Sequence, residues 1–379
     1  MFSKQVKFII YGIFTASSLT LALYLFAPTL LLTAYKPIYI GYIHAYRYIF
    51  GKTFTDRELE NAIEKARLQP WVQQQIAADL APFKDGITGK QLDDILYTMQ
   101  QANSQQLFRV IIHDQQAYIK PVPANISIGY AVFYATIKYL AAKGHIPNCE
   151  FVVSLNDYLT YIPKHITNPV PIFTFAKHSE IPVEQNTILL PDWMNIQNWD
   201  YLNGRITLAN KIFPWTKKQN VIFWRGGLAD SMQHRAKFLA LDTQFSFVDA
   251  KLTGGNKPAP NVAPEISLKN KYQIALDGHR GTWERMVWQM HGNSVMIKPN
   301  SPQVQWFHKG LVPYQNYIPI ADISPEQITA VYDWLQQHDD QAYAIAQNAN
   351  AFAQANLNIQ DLYAYYVVLL QEYAKLYKN

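Results

Sequence analysis

The chain has 379 residues, a length at which one hydrophobic core normally gives way to two. Hydrophobic residues make up 49% and aromatic residues 14%, which excludes a disordered chain. The net charge of +5 contains no run of five Lys or Arg, so a nucleic-acid stripe is excluded while phosphate-bearing small molecules and anionic lipid suit the mild basic bias.

Residues 8–35 carry no charge and are long enough for one membrane-spanning helix of about 20 residues. The small patch Ala16-Ser17-Ser18 offers a cleaved signal as the alternative, but apolar sequence continues beyond it. Tyr39, Tyr42, Tyr46 and Tyr48, with Lys36, Arg47 and Lys52, then read as an interfacial segment. Lys4 and Lys7 precede the span and three basic residues follow it, which leans toward a body on the cytoplasmic face. Residues 1–52 are therefore expected to be an anchor.

Thr55-x-x-Glu58 predicts a helix to about residue 68, and Thr88-x-x-Gln91 another to about 101. Residues 107–113 and 116–120 read as a hairpin, and 127–143 as a helix stopped by Gly144. Strands follow at 150–155, 172–176 and 188–190, giving a first α/β domain over 53–210. The Trp- and Asn-rich stretch 192–220 is read as the crossing between domains. A second α/β domain, 211–357, begins with a strand at 221–224, a helix at 231–241 and a strand at 245–249. After a loop at 254–264 come a strand at 272–276, the turn Asp277-Gly278-His279-Arg280-Gly281, and a helix over 283–291 with Thr282 as its cap. A strand at 294–297 and helices at 325–337 and 341–355 complete that domain. Residues 358–379 are a docking helix with one apolar face.

A strand running into a glycine-bearing turn and then a helix start is an anion site in waiting, and Arg280 and Arg285 add bidentate donors. The competing reading is a structural turn. A metal centre is not expected. There is no D-x-D; Asp93-Asp94 and Asp339-Asp340 are adjacent pairs on solvated helix faces, and the His residues lack ligand spacing. Cys149 is the only cysteine, which excludes an intrachain disulfide. The absence of G-x-x-x-x-G-K-[ST] and G-x-G-x-x-G argues against a kinase or an ordinary dehydrogenase.

Five segments together resemble glycosyltransferase family 90: FVVSLNDYL (151–159), PIFTFAKHSE (171–180), VIFWRGGLADSMQHR (221–235), KYQIALDG with its following Arg and GNSVMIK (271–298), and LVPYQNYIPI (311–320). The resemblance implies a GT-B-like fold, two Rossmann-like domains facing a cleft, here preceded by a transmembrane helix. It implies a transferase that uses a nucleotide sugar, with UDP as the nucleotide, and a lipopolysaccharide or other surface-glycan hydroxyl as acceptor; a single candidate carboxylate suits inversion, and the missing D-x-D suits a metal-independent reaction. One departure concerns the donor loop, where Thr282-Trp283-Glu284-Arg285 stands in place of the Ser that several members carry shortly before an Arg.

Within that resemblance Asp157 matches the proposed catalytic base, and it follows a strand at the end where open α/β sheets place ligands. An Asx-turn is the alternative role. Trp224, Arg225, Gly226, Gly227 and Arg235 match the nucleotide-sugar loop, with Arg235 alternatively a surface residue. Asp277, Gly278, Arg280, Gly281, Thr282, Trp283 and Arg285 match its second half, with Trp283 either stacking on the donor or filling a core. Protein O-glycosylation is disfavoured, because lumenal members use disulfides. A non-catalytic anchored scaffold with a degenerate pocket is the alternative function.

Overall fold

The computed structural model describes residues 54–101, 107–121, 127–155, 169, 171–228, 230, 232–255 and 258–378. The expected span at 8–35 and Asp157 both lie outside the described residues. Among the described residues no helix is long and apolar enough to cross a membrane.

Helix α1 (Asp56–Leu68) opens on the capping box written in its sequence: Glu58 N–H donates to the Thr55 hydroxyl while Thr55 N–H donates to the Glu58 carboxylate at 2.6 Å. Helix α2 (Pro70–Leu80) follows with proline in its first turn. Sequence reasoning missed it because Gln75 and Asp79 lie on its buried face and break the apolar period. Strand β1 (Ile87–Thr88) leads into α3 (Gly89–Gln101). Strands β2 (Leu107–His113) and β3 (Gln116–Lys120) form the expected hairpin, its two-residue turn taking φ of 48° at Asp114 and 61° at Gln115. Ser127 caps α4 (Ile128–Ala142). Then come β4 (Cys149–Ser154), β5 (Ile172–Thr174), β6 (Lys177–His178), α5 (Pro182–Gln185) and β7 (Ile188–Leu189).

These strands give a mixed sheet in the order β3-β2-β4-β5-β7. Only β4, β5 and β7 run parallel; β2 is antiparallel to both neighbours. The sheet thus departs from the wholly parallel pattern of a Rossmann domain, since a two-residue hairpin permits no parallel crossover.

The stretch read as a crossing is largely one helix, α6 (Trp193–Ile212), capped by the Asp192 carboxylate. A second sheet follows: β8 (Gln219–Gly226), α7 (His234–Leu241), β9 (Val248–Leu252), α8 (Pro264–Ser267), β10 (Asn270–Ile274), α9 (Arg285–His291), β11 (Val295–Pro299), β12 (Gln303–Val304) and β13 (Ile318–Ile320). Its order is β13-β11-β10-β8-β9, and every pairing is parallel. Both faces are covered, so every residue of β10 is buried. Helices α10 (Pro325–Gln337), α11 (Asp339–Asn356) and α12 (Ile359–Leu376) close the chain, and a short β14 (Tyr377–Lys378) pairs with β1.

Each sheet has its own buried cluster. Trp224, Phe238, Tyr272 and Leu335 belong to the parallel sheet. Val152, Phe173 and the apolar face of α12 belong to the mixed one. Helix α12 therefore returns to the first half of the chain, where the Tyr366 hydroxyl donates to the Pro191 carbonyl at 2.7 Å and that of Tyr373 to the Glu150 carbonyl at 2.9 Å.

Candidate active site at the sheet switch point

In the parallel sheet, β8 is followed in sequence by β9 on one side and β10 on the other. This reversal leaves a crevice beyond the carboxyl ends of β8 and β10, the place where open α/β sheets bind ligands. Two loops begin there, one after Gly226 of β8 and one running 275–284 after β10, and with the ends of their strands they carry most of the residues singled out from sequence.

Trp224, wholly buried near the end of β8, is the centre of the arrangement. The Arg235 guanidinium lies 5.6 Å from its ring centroid and that of Arg285 lies 5.9 Å away. Arg235 donates to the carbonyls of Gly227, at 3.0 Å, and Leu276, at 3.4 Å, so it ties the two loops together. Arg285 donates to the Arg225 carbonyl at 2.8 Å. Burial, then the like charge of Arg235, pulls the Arg285 guanidinium down to about 10, against the nearby Glu284. Burial likewise lowers Arg235, with Asp230 and Asp277 opposing. Asp230, Asp277 and Glu284 offset part of this charge, and the two guanidinium groups gathered at one ring suit an anion.

The glycines give this group its shape. A Cβ on Gly226 would stand 2.6 Å from the Trp224 ring, and one on Gly278 would stand 3.2 Å from the Arg235 guanidinium. A Cβ on Gly227 meets nothing within 4 Å, so the backbone there borders open space. Gly281 takes φ of +55°, and its carbonyl accepts from Gly278 N–H at 2.8 Å, closing the turn.

Asp277 lies just past β10 and is buried. Burial raises its carboxyl, opposed first by the Lys298 charge and then by Ser301, His234 and Arg235. Its Oδ1 has no hydrogen-bond partner among the described residues. Lys298, Ser301 and His234 therefore belong to the site, although sequence reasoning gave no role to the first two. Lys298 closes the GNSVMIK segment at the carboxyl end of β11, and that position was the available signal.

Several expected residues point elsewhere. The Arg225 guanidinium is engaged by Asp249, at 2.7 Å to its carboxylate and 3.0 Å to its carbonyl, and lies over the Phe223 ring at 4.5 Å. Arg280 forms a buried bidentate pair with Glu184 of α5, at 2.9 and 2.5 Å. Thr282 does not cap the helix; its hydroxyl donates to Gln305 Oε1 at 2.9 Å, and α9 begins only at Arg285. The cause is Trp283, whose φ of 52° is left-handed and breaks the run before a helix can start. The Trp283 ring packs 6.2 Å from Phe175 on the mixed-sheet side. Together with the antiparallel pairing of β6 and β12, Arg280 and Trp283 fasten this loop to the first half of the chain.

Residues 65–379 match the family described as Glycosyl transferase family 90. Protein O-glucosyltransferase 2 of Danio rerio is 27% identical over 321 residues, covering 80% of this chain and 62% of that protein. Protein O-glucosyltransferase 1 of Homo sapiens is 24% identical over 329 residues, 79% of each chain. Protein O-glucosyltransferase 3 of Homo sapiens is 26% identical over 254 residues, 62% of this chain and 48% of that one. The chain thus spans less than two thirds of the first and third of these relatives.

Proposed function

Because the chain belongs to glycosyl transferase family 90 and is by family a glycosyltransferase, we propose that it moves a sugar from a nucleotide donor, with UDP as the nucleotide, to the hydroxyl of a lipopolysaccharide or other surface glycan. The arginine pair around Trp224 carries this reading: Arg235 and Arg285 lie 5.6 and 5.9 Å from its ring at the switch point. A diphosphate laid across them neutralises both. Asp277 and Lys298 stand beside Arg235, the carboxylate for a sugar hydroxyl and the ammonium for a phosphate oxygen.

In the proposed reaction the Asp157 carboxylate takes the proton of the acceptor hydroxyl. The oxygen attacks the anomeric carbon from the face opposite the leaving group, the carbon–oxygen bond to the diphosphate breaks, and configuration inverts. The electron pair passes to the β-phosphate, where two fixed guanidinium groups stabilise it without rearranging. They supply the charge that a divalent ion supplies elsewhere, so turnover is expected to survive chelation by EDTA. The two sheets act as the facing halves of a GT-B-like cleft. Residues 8–35 anchor the chain in the membrane, with the body on the cytoplasmic face.

A second acceptor reading comes from the relatives, whose names specify protein O-glucosyl transfer. A protein hydroxyl then takes the place of the glycan hydroxyl, and the donor side is unchanged.

The test is UDP release by the purified full chain from a panel of UDP-sugars, with membrane glycolipid or a Ser-containing peptide as acceptor. Asp157→Asn is expected to lower turnover by roughly 10²–10⁴ while UDP binding holds. Unchanged turnover removes Asp157 from the role. No release with any acceptor supports the non-catalytic scaffold instead.

A further inference from the structure

Helices α1, α2 and α12 enclose a groove of about 600 Å³ that shares no residue with the switch-point loops. Its floor is Ile76, Ala77, Leu80, Val368 and Leu376, and its rim carries Arg67, Lys84, Lys375 and Glu372. Lys375 is paired with Glu372 at 2.6 and 2.7 Å, and Arg67 donates to Gln371 at 2.8 Å. Three cations against one carboxylate leave a positive rim above an apolar floor. Leu68, next to Arg67, stands 78% exposed.

We propose that this groove seats an anionic membrane lipid, one acyl chain against the apolar floor and the phosphate-bearing headgroup among Arg67, Lys84 and Lys375. The floor removes hydrocarbon from water, and the basic rim meets the negative surface from which such a lipid comes. Charge also decides against the nearest rival occupant, the chain's own first 53 residues. Its flanks hold Lys4, Lys7, Lys36, Arg47 and Lys52 and no Asp or Glu, so the rim repels those parts, and the uncharged residues 8–35 bring no anion to meet it. The same composition suits that segment to an anionic surface. The inference is separate from sugar transfer: lipid labelling without turnover, or turnover without labelling, tells the two apart.

The experiment places the full chain in nanodiscs containing phosphatidylglycerol with a diazirine on one acyl chain, or phosphatidylcholine labelled in the same way. Photo-adducts are mapped by mass spectrometry. Adducts on peptides covering 73–81 and 368–376 are expected, stronger with phosphatidylglycerol by about fivefold for each rim charge engaged. Lys84→Gln with Lys375→Gln is expected to bring labelling down to the phosphatidylcholine level. Ala77→Trp, at an exposed position, is expected to block the floor with thermal stability retained. Equal labelling by the two lipids, adducts confined to residues 1–53, cross-links from that segment into the groove, or labelling unaffected by Ala77→Trp would each overturn the proposal.

Discussion

Arg280 offers a sharp test, because the sequence motif and the tertiary structure give it different work. The motif places it on a phosphate; the fold places it on Glu184, with side-chain exposures of 6% and 2% for the two partners. The Glu184 carboxylate accepts from Arg280 Nε at 2.9 Å, from Nη2 at 2.5 Å and from the His178 N–H at 2.9 Å. Arg280→Ala leaves a buried carboxylate with one donor. Removing one partner of such a pair costs about 3–5 kcal/mol, most of it the burial of the charge left behind. At roughly 2 °C per kcal/mol for a chain of this size, the melting temperature is expected to fall by ~6–10 °C. Glu184→Gln keeps an acceptor for His178, so Arg280→Gln combined with Glu184→Gln is expected to recover much of that loss. UDP affinity, measured by calorimetry below the transition, is expected to hold in both variants. A melting temperature unchanged in Arg280→Ala, with UDP binding weakened roughly tenfold or more, would refute the reasoning and return Arg280 to the donor.

Arg235→Ala and Arg285→Ala should each weaken UDP binding by roughly 10- to 100-fold, the worth of one charged hydrogen-bond set; calorimetric titration showing no change in either would dismantle the proposed donor site. Gly226→Ala forces a methyl to 2.6 Å from the buried Trp224 ring, so a loss of about 1–3 kcal/mol in denaturant melts is expected, with weaker UDP binding. Burial first, then the Glu284 charge, pushes the Asp192 carboxyl up to about 7, against hydrogen bonds from Asn195 and Met194. Its folded value lies above the unfolded one near 4, so its contribution is full below about pH 4 and is lost as pH rises through about 7. Asp192→Asn keeps a capping side chain and should flatten that decline; identical stability profiles for the two proteins between pH 4 and 8 would remove Asp192 as its source.

Features set by near neighbours in the chain were legible in the sequence. Thr55-x-x-Glu58 specified the start of α1, Gly144 marked the stop just after α4, and the hairpin around Asp114-Gln115 appeared with its predicted bounds. Each depends on contacts within four residues, so local spacing is sufficient. The crevice loops were visible for the same reason, as strand ends followed by glycine. What the side chains in those loops touch was decided at long range. Arg280 meets Glu184 across 96 positions, Arg285 reaches the carbonyl of Arg225 across 60, and Trp283 leaves the helix it was assigned to and packs beside Phe175. An arginine in a motif carries the same charge whichever carboxylate or carbonyl it meets. Only the tertiary fold determined that Arg225 and Arg280 meet carboxylates while Arg235 and Arg285 gather at Trp224.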